Sequence, residues 1–375
     1  MDCDFLIIGA GIAGASAGAE LATLGTTIIL EREEAPGYHS TGRSAAMFTE
    51  TYGPEPIRRL TTASGPFLRN PPSGFTDVPL LKTRGVLFLA RPDQMTTLEG
   101  HEKAARSTGA TVHRLDAKEM VRRLPILRPE YVGGGMIEPD ASDLDVAALH
   151  QAYLRLFKAR GGRLACDAEV TRIARRNGAW RAESKAGSFV AGAIVNAAGA
   201  WADEVARLAG LAPLGLVPKR RTAFTFDAPP GHDIAAWPLC YDVDEGFYFK
   251  PDAGRFLGSL ADETPSPPCD AQPEELDVAT AVDRIMTATT LDIRRLVRKW
   301  AGLRSFFADK VPVAGPSKDA PGFIWVAGQG GYGIQTSPAM GRIVAALAAG
   351  KDVPADIAAT GLGAADLSPD RAMKH

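Results

Sequence analysis

The sequence has little with which to bind a metal or cross-link itself. Its four cysteines, Cys3, Cys166, Cys240 and Cys269, lie far apart and form no C-x-x-C. Neither a metal-ligand spacing nor a redox dithiol is present, and buried, reduced thiols are expected. Six histidines are scattered in the same way, so no metal site is expected. Neither sign of charge dominates: 42 Lys and Arg against 44 Asp and Glu leave a net charge of −2. That balance gives no electrostatic basis for binding nucleic acid or an anionic membrane surface. No uninterrupted apolar run reaches membrane-spanning length, and Asp2 and Asp4 stand where a signal peptide carries basic residues. The expectation is a cytoplasmic protein with no integral membrane segment. At 375 residues the chain exceeds one small core, which implies two domains or one domain with a large insertion.

What is present begins at once. Asp4-Phe5-Leu6-Ile7-Ile8 is a short apolar run of strand formers, and it leads without a break into Gly9-Ala10-Gly11-Ile12-Ala13-Gly14. A small-residue helix follows, stopped by Gly25, and then a second strand, Thr26 to Leu30, ending on Glu31. This is a complete βαβ unit carrying G-x-G-x-x-G. The first glycine permits a tight turn and the second lets the main chain approach a pyrophosphate. The third lets helix and strand pack closely, so that a diphosphate sits on the positive end of the helix. Glu31 stands where ribose hydroxyls need an acceptor, and its charge argues against a 2′-phosphate and hence against NADP. FAD and NAD are both compatible with this unit.

After Glu31-Arg32 comes His39-Ser40-Thr41-Gly42-Arg43-Ser44-Ala45-Ala46, short on bulk and rich in hydroxyls, as backbone passing close to a phosphate or a flat ring would be. This loop, with the opening unit, resembles the flavin enzymes related to D-amino acid oxidase, and that favours FAD over NAD. Two further stretches resemble signatures of the same family. One is the buried strand running into Asn196-Ala197-Ala198-Gly199-Ala200-Trp201. The other is the glycine-dense turn Gly328-Gln329-Gly330-Gly331-Tyr332-Gly333 ahead of a helix from Ile334 to Ala349. A helix N-terminus there stabilises the negative charge that accumulates on a reduced flavin ring.

Between these stretches the spacing predicts helices over 54–70, 92–109, 115–124, 144–160 and 276–290. The 144–160 helix would be capped by Asp143 or Asp145 and packed on the nucleotide-binding sheet. Strands are expected at 84–90, 163–166, 169–173, 180–183, 193–199 and 322–327. Residues 216–226 and 246–251 are alternating, aromatic-rich and bounded by Pro and Gly, as an antiparallel sheet requires, and a strand at 297–306 follows a proline-rich linker at 264–268.

The resemblance runs from Asp4 to about Pro369 and, within the family, is greatest to the D-arginine dehydrogenase branch. It implies an α/β fold: a Rossmann-like FAD-binding domain of the glutathione-reductase type, discontinuous over 1–77, 141–216 and 299–375. An α+β substrate-binding domain with a mixed or antiparallel sheet would occupy 78–140 and 217–298. Non-covalent FAD would be held by Gly9, Gly11, Ile12, Ala13, Gly14, Glu31 and Arg32, and by the loop residues Thr41, Gly42, Arg43, Ser44, Ala45 and Ala46. Val170, Ala198, Gly199 and Trp201 would join them, and at the end of the chain Gly330, Gly331, Tyr332, Gly333, Ile334, Gln335 and Thr336. Arg221, Tyr248 and Arg304 match family positions that grip a substrate carboxylate, Tyr52 one that lines the same pocket, and the Gly331 carbonyl one that accepts from the substrate amine. A guanidinium pair suits a carboxylate because each offers two parallel hydrogen bonds. Arg220, beside Arg221, points to the opposite sheet face and is expected to be solvated or salt-bridged.

The side-chain pocket departs from the D-arginine branch. Where that branch has an acid, a histidine and a tyrosine, this chain has Val86, Met47 and Phe48. A buried cation without its partner loses several kcal/mol, on the order of 3–5. The expected substrate is therefore a neutral, apolar D-amino acid or a cyclic relative of the D-proline type, oxidised by hydride transfer from the neutral amine to an imino acid. Sarcosine, glycine or a 2-hydroxy acid would fit the same clamp, and a flavin-bearing subunit of a multi-component dehydrogenase is the alternative of another class. Residue types admit oxygen, a quinone or a dye as electron acceptor.

Overall fold

The computed structural model describes residues 2–107 and 109–372; expectations touching residues 1, 108 and 373–375 lie outside the described residues. Five parallel strands form the centre of the first sheet, in the order Phe323–Ala327, Gly187–Asn196, Cys3–Ile8, Thr27–Leu30 and Arg163–Ala165. Thr27–Leu30 is buried along its whole length, as a strand covered on both faces must be. The first helix, Ile12–Leu21, carries nothing bulkier than Ile, Leu and Glu, which lets it lie close on the sheet. Beside it the helix Val146–Ala159 buries Leu149, Tyr153 and Phe157 against Ile7 and Ile29. Its cap is Asp145, which accepts from the Ala148 N–H at 2.8 Å. Asp143, the other candidate, is drawn instead into ion pairs with Lys250 at 2.6 Å and Arg84 at 2.5 Å.

The Gly187–Asn196 strand is longer than the 193–199 run implies. Its first half pairs antiparallel with Ala179–Ser184, and only its second half joins the parallel core. The helices at 55–69, 117–123 and 275–288 and the strand at 296–306 fall where the patterns place them. Part of the 264–268 linker is itself a short edge strand, Thr264–Pro265, paired with Lys219–Arg220.

A second sheet of nine strands covers the C-terminal ends of the first. It is antiparallel except where Leu239–Asp242 runs parallel to Val86–Ala90. Alternation along its strands divides its two faces. Leu87, Leu89, Cys240, Phe247, Phe249 and Phe256 point outward and pack under Val278, Ala281 and Ile285 of the helix Glu275–Ala288. Val86, Phe88, Leu239, Tyr241 and Tyr248 point inward, toward the first sheet. One face therefore makes a core and the other makes a pocket wall. The cysteines are all free, but Cys166 and Cys269 are only half-buried, so burial is met by Cys3 and Cys240 alone. Among the described residues no helix is long and apolar enough to cross a membrane.

Candidate active site

Three adjoining cavities run from the carboxyl ends of the parallel strands to the inner face of the second sheet. The first, about 590 Å³, lies at the crevice where open α/β sheets bind nucleotides. Gly11, Glu31, Arg32, Thr41, Val170, Gly199 and Trp201 line it. Gly9 has φ +101°, and a Cβ there would stand 2.5 Å from the Ala197 carbonyl; one on Gly14 would stand 1.9 Å from the Gly9 carbonyl. The turn is thus compressed between two strands and its own helix, a cradle that side chains would fill. Glu31, buried at the end of its strand, accepts from the Ala10 N–H at 2.8 Å and the Glu33 N–H at 3.1 Å, so part of its acceptor capacity orients the glycine turn. His150 donates through Nε2 to the Ala10 carbonyl at 2.8 Å on the other side. Arg32 stacks over Trp201 at 4.9 Å and pairs with Glu169 at 3.1 Å, closing one wall.

The hydroxyl-rich loop separates this cavity from the next. Thr41 accepts from the Ile12 N–H at 3.0 Å, and Ser40 donates to the Leu303 carbonyl at 2.6 Å. Arg43, expected on the cofactor, spends its guanidinium on the Ala271 and Ala301 carbonyls, each at 3.0 Å, and on Asp270, and so ties the loop to the second sheet. Gly42 serves the turn itself, donating to the Gly37 carbonyl at 2.7 Å. The second cavity, about 130 Å³, is lined by Gly11, Ile12, Ala13, Ser44, Ala45 and, opposite, Arg221, Tyr248, Arg304, Gly330, Gly331, Gly333 and Ile334. The N-termini of two helices, Ile12–Leu21 and Gly333–Ala348, meet at its wall. Two more residues expected there, Tyr332 and Thr336, are buried behind the wall, where the Thr336 hydroxyl donates to the Tyr332 carbonyl at 2.9 Å.

The third cavity, about 70 Å³, shares Ser44, Ala45, Arg221, Tyr248, Arg304 and Gly331 with the second and adds Ala46, Met47, Tyr52, Val86, Phe88, Leu239 and Tyr241. Arg221 and Arg304 lie on neighbouring antiparallel strands, where Arg221 pairs with Gly302 and Arg304 with Lys219; this makes them diagonal neighbours on one face. Arg221 is 6% exposed. Its Nε donates to the Asp262 carbonyl at 2.8 Å, while Nη1 and Nη2 are buried with no hydrogen-bond partner and the nearest carboxylate, Glu263, is 3.6 Å away. Burial works against the charge on Arg304, but the facing phenols of Tyr52, Tyr248 and Tyr241 more than offset it and hold its proton above the ordinary arginine value. Two neighbouring cations without a full counter-charge are arranged to receive an anion. Arg220 faces the other way and pairs with Glu274 at 3.0 Å and Asp277 at 2.9 Å.

Phe48 does not reach this cavity. Adjacent residues of a strand point to opposite faces, so with Met47 turned inward Phe48 packs at 1% exposure beneath the helix Glu55–Arg69, under Arg69. Besides Phe88 and Leu239 on the cavity wall, sequence reasoning missed Tyr241, Thr49 and Glu138. Tyr241 pairs with Tyr248 across adjacent strands, their rings stacked 6.1 Å apart, and its hydroxyl is buried without a partner. Thr49 lines the third cavity beside Gln335, whose Oε1 accepts from the Thr49 N–H at 3.1 Å. Behind Thr49 lies Glu138, 3% exposed, with Oε2 accepting from Thr49 Oγ1 at 2.7 Å and Oε1 from the Glu50 N–H at 3.0 Å. Tyr241 falls between the predicted strands 216–226 and 246–251, on the strand Leu239–Asp242; for Thr49 and Glu138 no local pattern announces the contact.

The donor set fits FAD. The compressed glycine turn would hold a diphosphate, the first cavity beside Glu31 would take the adenosine, and the second, flanked by two helix N-termini, would take the ring. The glycine oxidase of Geobacillus kaustophilus strain HTA426 is 25% identical over 367 residues, 95% of each chain. The crystal structure of glycine oxidase from Geobacillus kaustophilus superposes with a TM-score of 0.82 at 26% identity, covering 93% of this chain and 95% of that one. L-proline dehydrogenase from P. horikoshii shares the fold, with a TM-score of 0.83 at 21% identity over 98% and 97% of the two chains. The model of the DAO family, FAD dependent oxidoreductase, matches residues 4–347, and the chain is a member of that family and uses FAD.

Proposed function

We propose that the protein oxidises the Cα–N bond of a small, neutral D-amino acid, giving an imino acid that hydrolyses to a 2-oxo acid and ammonia. The single observation that carries this reading is the pair of Arg221 Nη atoms without a hydrogen-bond partner, buried beside Arg304 at the junction of the second and third cavities. Non-covalently bound FAD supplies the two-electron acceptor for the Cα hydride. The chain's own residues fix the geometry. Arg221 and Arg304 grip the carboxylate, Tyr248 and Tyr52 border it, and the Gly331 carbonyl takes a hydrogen of the amine, so that Cα is held at one height over the second cavity.

Side-chain selection comes from the far wall. Val86, Phe88, Met47 and Leu239 are apolar, and the cavity of about 70 Å³ has room for only a few water-sized groups. Glu138 stands one strand over from Val86, but its oxygens are turned to Thr49, Thr51 and the Glu50 N–H and line no cavity. A cationic side chain would therefore lie unpaired. The D configuration rests on the likeness of the arginine and tyrosine set to the D-arginine branch. Glycine or sarcosine is the second reading, favoured by the small cavity.

The test is flavin bleaching by isolated protein under anaerobic conditions with D- and L-alanine, D-proline, glycine, sarcosine, lactate and D-arginine. Small neutral D-amino acids should bleach fastest and D-arginine at least ~100-fold more slowly, the equivalent of about 3 kcal/mol of lost pairing. Preference for lactate or D-arginine would refute the substrate class, and no bleaching by any of them would favour a partner-dependent subunit. Peroxide yield against dye reduction then assigns the electron acceptor.

A further inference from the structure

We infer that the Thr49 hydroxyl and, through it, Glu138 form the route by which the substrate ammonium group loses its proton. This rests on the amino-acid reading above. An ammonium nitrogen has no lone pair to form C=N, so a proton must leave before or with the hydride. The arginines and phenols around the third cavity are poor acceptors, and burial raises the Tyr241 hydroxyl still further. Glu263 approaches Arg221 at 3.6 Å, but Lys219 at 2.8 Å and Lys310 at 3.2 Å claim it. Burial raises its proton affinity, yet the two lysines outweigh burial and hold it below the usual carboxylate range.

Glu138 is placed differently. Thr49 forms part of the cavity wall, and its hydroxyl already donates to Glu138 Oε2 at 2.7 Å, so its lone pairs can receive an N–H from the cavity side. Three donors, Thr49, Thr51 and the Glu50 N–H, converge on the carboxylate, an arrangement suited to the ionised form. Burial pushes its proton affinity above the ordinary glutamate value, with the nearby Glu50 charge adding to it in small part. Glu50 is itself paired with Arg69 at 2.9 Å, and Val86 faces Glu138 from the adjoining strand. In the step, an ammonium N–H breaks as an O–H forms at Thr49, while the original Thr49 O–H breaks and its proton joins Glu138 Oε2. The nitrogen keeps the electron pair that becomes the second C=N bond when the hydride departs. A buried cation and a buried anion are neutralised together, with no net proton released to solvent.

The test uses FAD-loaded enzyme and 2-methylalanine, an amino acid with no Cα–H to lose. Calorimetric titration at pH 7 in buffers of different ionisation enthalpy counts the protons released on binding. Wild type should release close to none. Glu138→Gln and Thr49→Val should select the neutral amine and release about one proton per site, and Thr49→Ser should restore the wild-type count. The kcat/KM profile of Glu138→Gln with a true substrate should move its rising limb toward the pKa of the free amino group. Equal proton counts in wild type and Glu138→Gln, with unmoved pH profiles, would overturn the route. Failure of wild type to bind 2-methylalanine while it binds 2-hydroxyisobutyrate would instead overturn the amino-acid reading, and the inference with it. Flavin absorbance and melting temperature of each variant separate these results from misfolding.

Discussion

Replacing Arg221 by Met tests the proposed carboxylate clamp most directly, because a large effect on binding is expected beside almost none on stability. In wild type the Arg221 Nε is tied to the Asp262 carbonyl at 2.8 Å and both Nη atoms are free to receive a ligand. Loss of the charged bonds to a buried carboxylate costs about 3–4 kcal/mol, within the range for truncating one member of a buried ion pair. At about 1.4 kcal/mol per decade this is a fall of roughly 10²–10³-fold in kcat/KM, borne mostly by KM since the carboxylate is held before and during reaction. In the free enzyme the same change removes one of two adjacent cations and one neutral hydrogen bond of about 1 kcal/mol. These oppose each other, so the melting temperature and flavin content should barely change. Lysine at the same position keeps the charge but loses the fork and should recover only part of the activity. Anaerobic stopped-flow reduction of flavin reads the first effect and thermal melting the second. A variant within threefold of wild type in kcat/KM would show that the substrate carboxylate lies elsewhere.

Val86→Glu should raise turnover of D-arginine at least ~10-fold relative to D-alanine, read by the same bleaching assay, while lowering stability by about 1–3 kcal/mol because an acid enters an apolar wall. Gly9→Ala forces a left-handed residue and a 2.5 Å approach to the Ala197 carbonyl; it should cost about 1–3 kcal/mol in chemical denaturation and yield protein with little bound FAD. His150 has its proton affinity lowered, chiefly by burial and against its bond to Ala10. The folded state therefore binds fewer protons than the unfolded one just below pH 6.5, the ordinary histidine value. Its contribution is complete above that pH and declines as pH falls through it, by at most about 1.4 kcal/mol per pH unit. The stability difference between wild type and His150→Phe, followed from pH 8 to pH 5, should shrink on the acid side; a flat difference would contradict the burial.

The nucleotide end was legible because its chemistry is local. Gly9 to Gly14, Glu31 and the loop at 39–46 are contiguous, and each residue's task follows from its neighbours in sequence. Arg43 shows the limit of that. It lies in the right loop, yet Asp270 and the Ala271 and Ala301 carbonyls come from hundreds of residues away, and nothing near Arg43 announces them. The strand Gly134–Glu138 was hidden for a related reason. Its run of glycines reads as a turn, but between Phe88 and Met120 there is no room for a Cβ at Gly135, so packing selects the residue that propensity would reject. Glu138 ends that unforeseen strand, and its partner Thr49 lies 89 residues earlier in the chain.

The second sheet also explains why the proposed substrate site combines arginine, tyrosine and aliphatic residues without a free carboxylate. Period-two alternation commits every second residue to the helix-covered face, where Phe247 and Phe249 pack, and leaves Tyr248 between them for the cavity. Any acid on that inner face would neutralise Arg221 or Arg304 and compete with an incoming carboxylate. The acids nearby are accordingly committed elsewhere: Glu263 to Lys219 and Lys310, Asp143 to Arg84 and Lys250, and Glu138 to two hydroxyls and a backbone N–H. If that distribution governs affinity, freeing one acid should weaken binding without touching the clamp. Lys219→Met releases part of Glu263 toward Arg221, 3.6 Å away, and should weaken carboxylate binding roughly 3- to 10-fold, about 0.7–1.4 kcal/mol. Lys219→Arg should restore it. Equal affinity of all three proteins for a carboxylate inhibitor would mean that Glu263 is already silent and that the two cations alone set the strength of the grip.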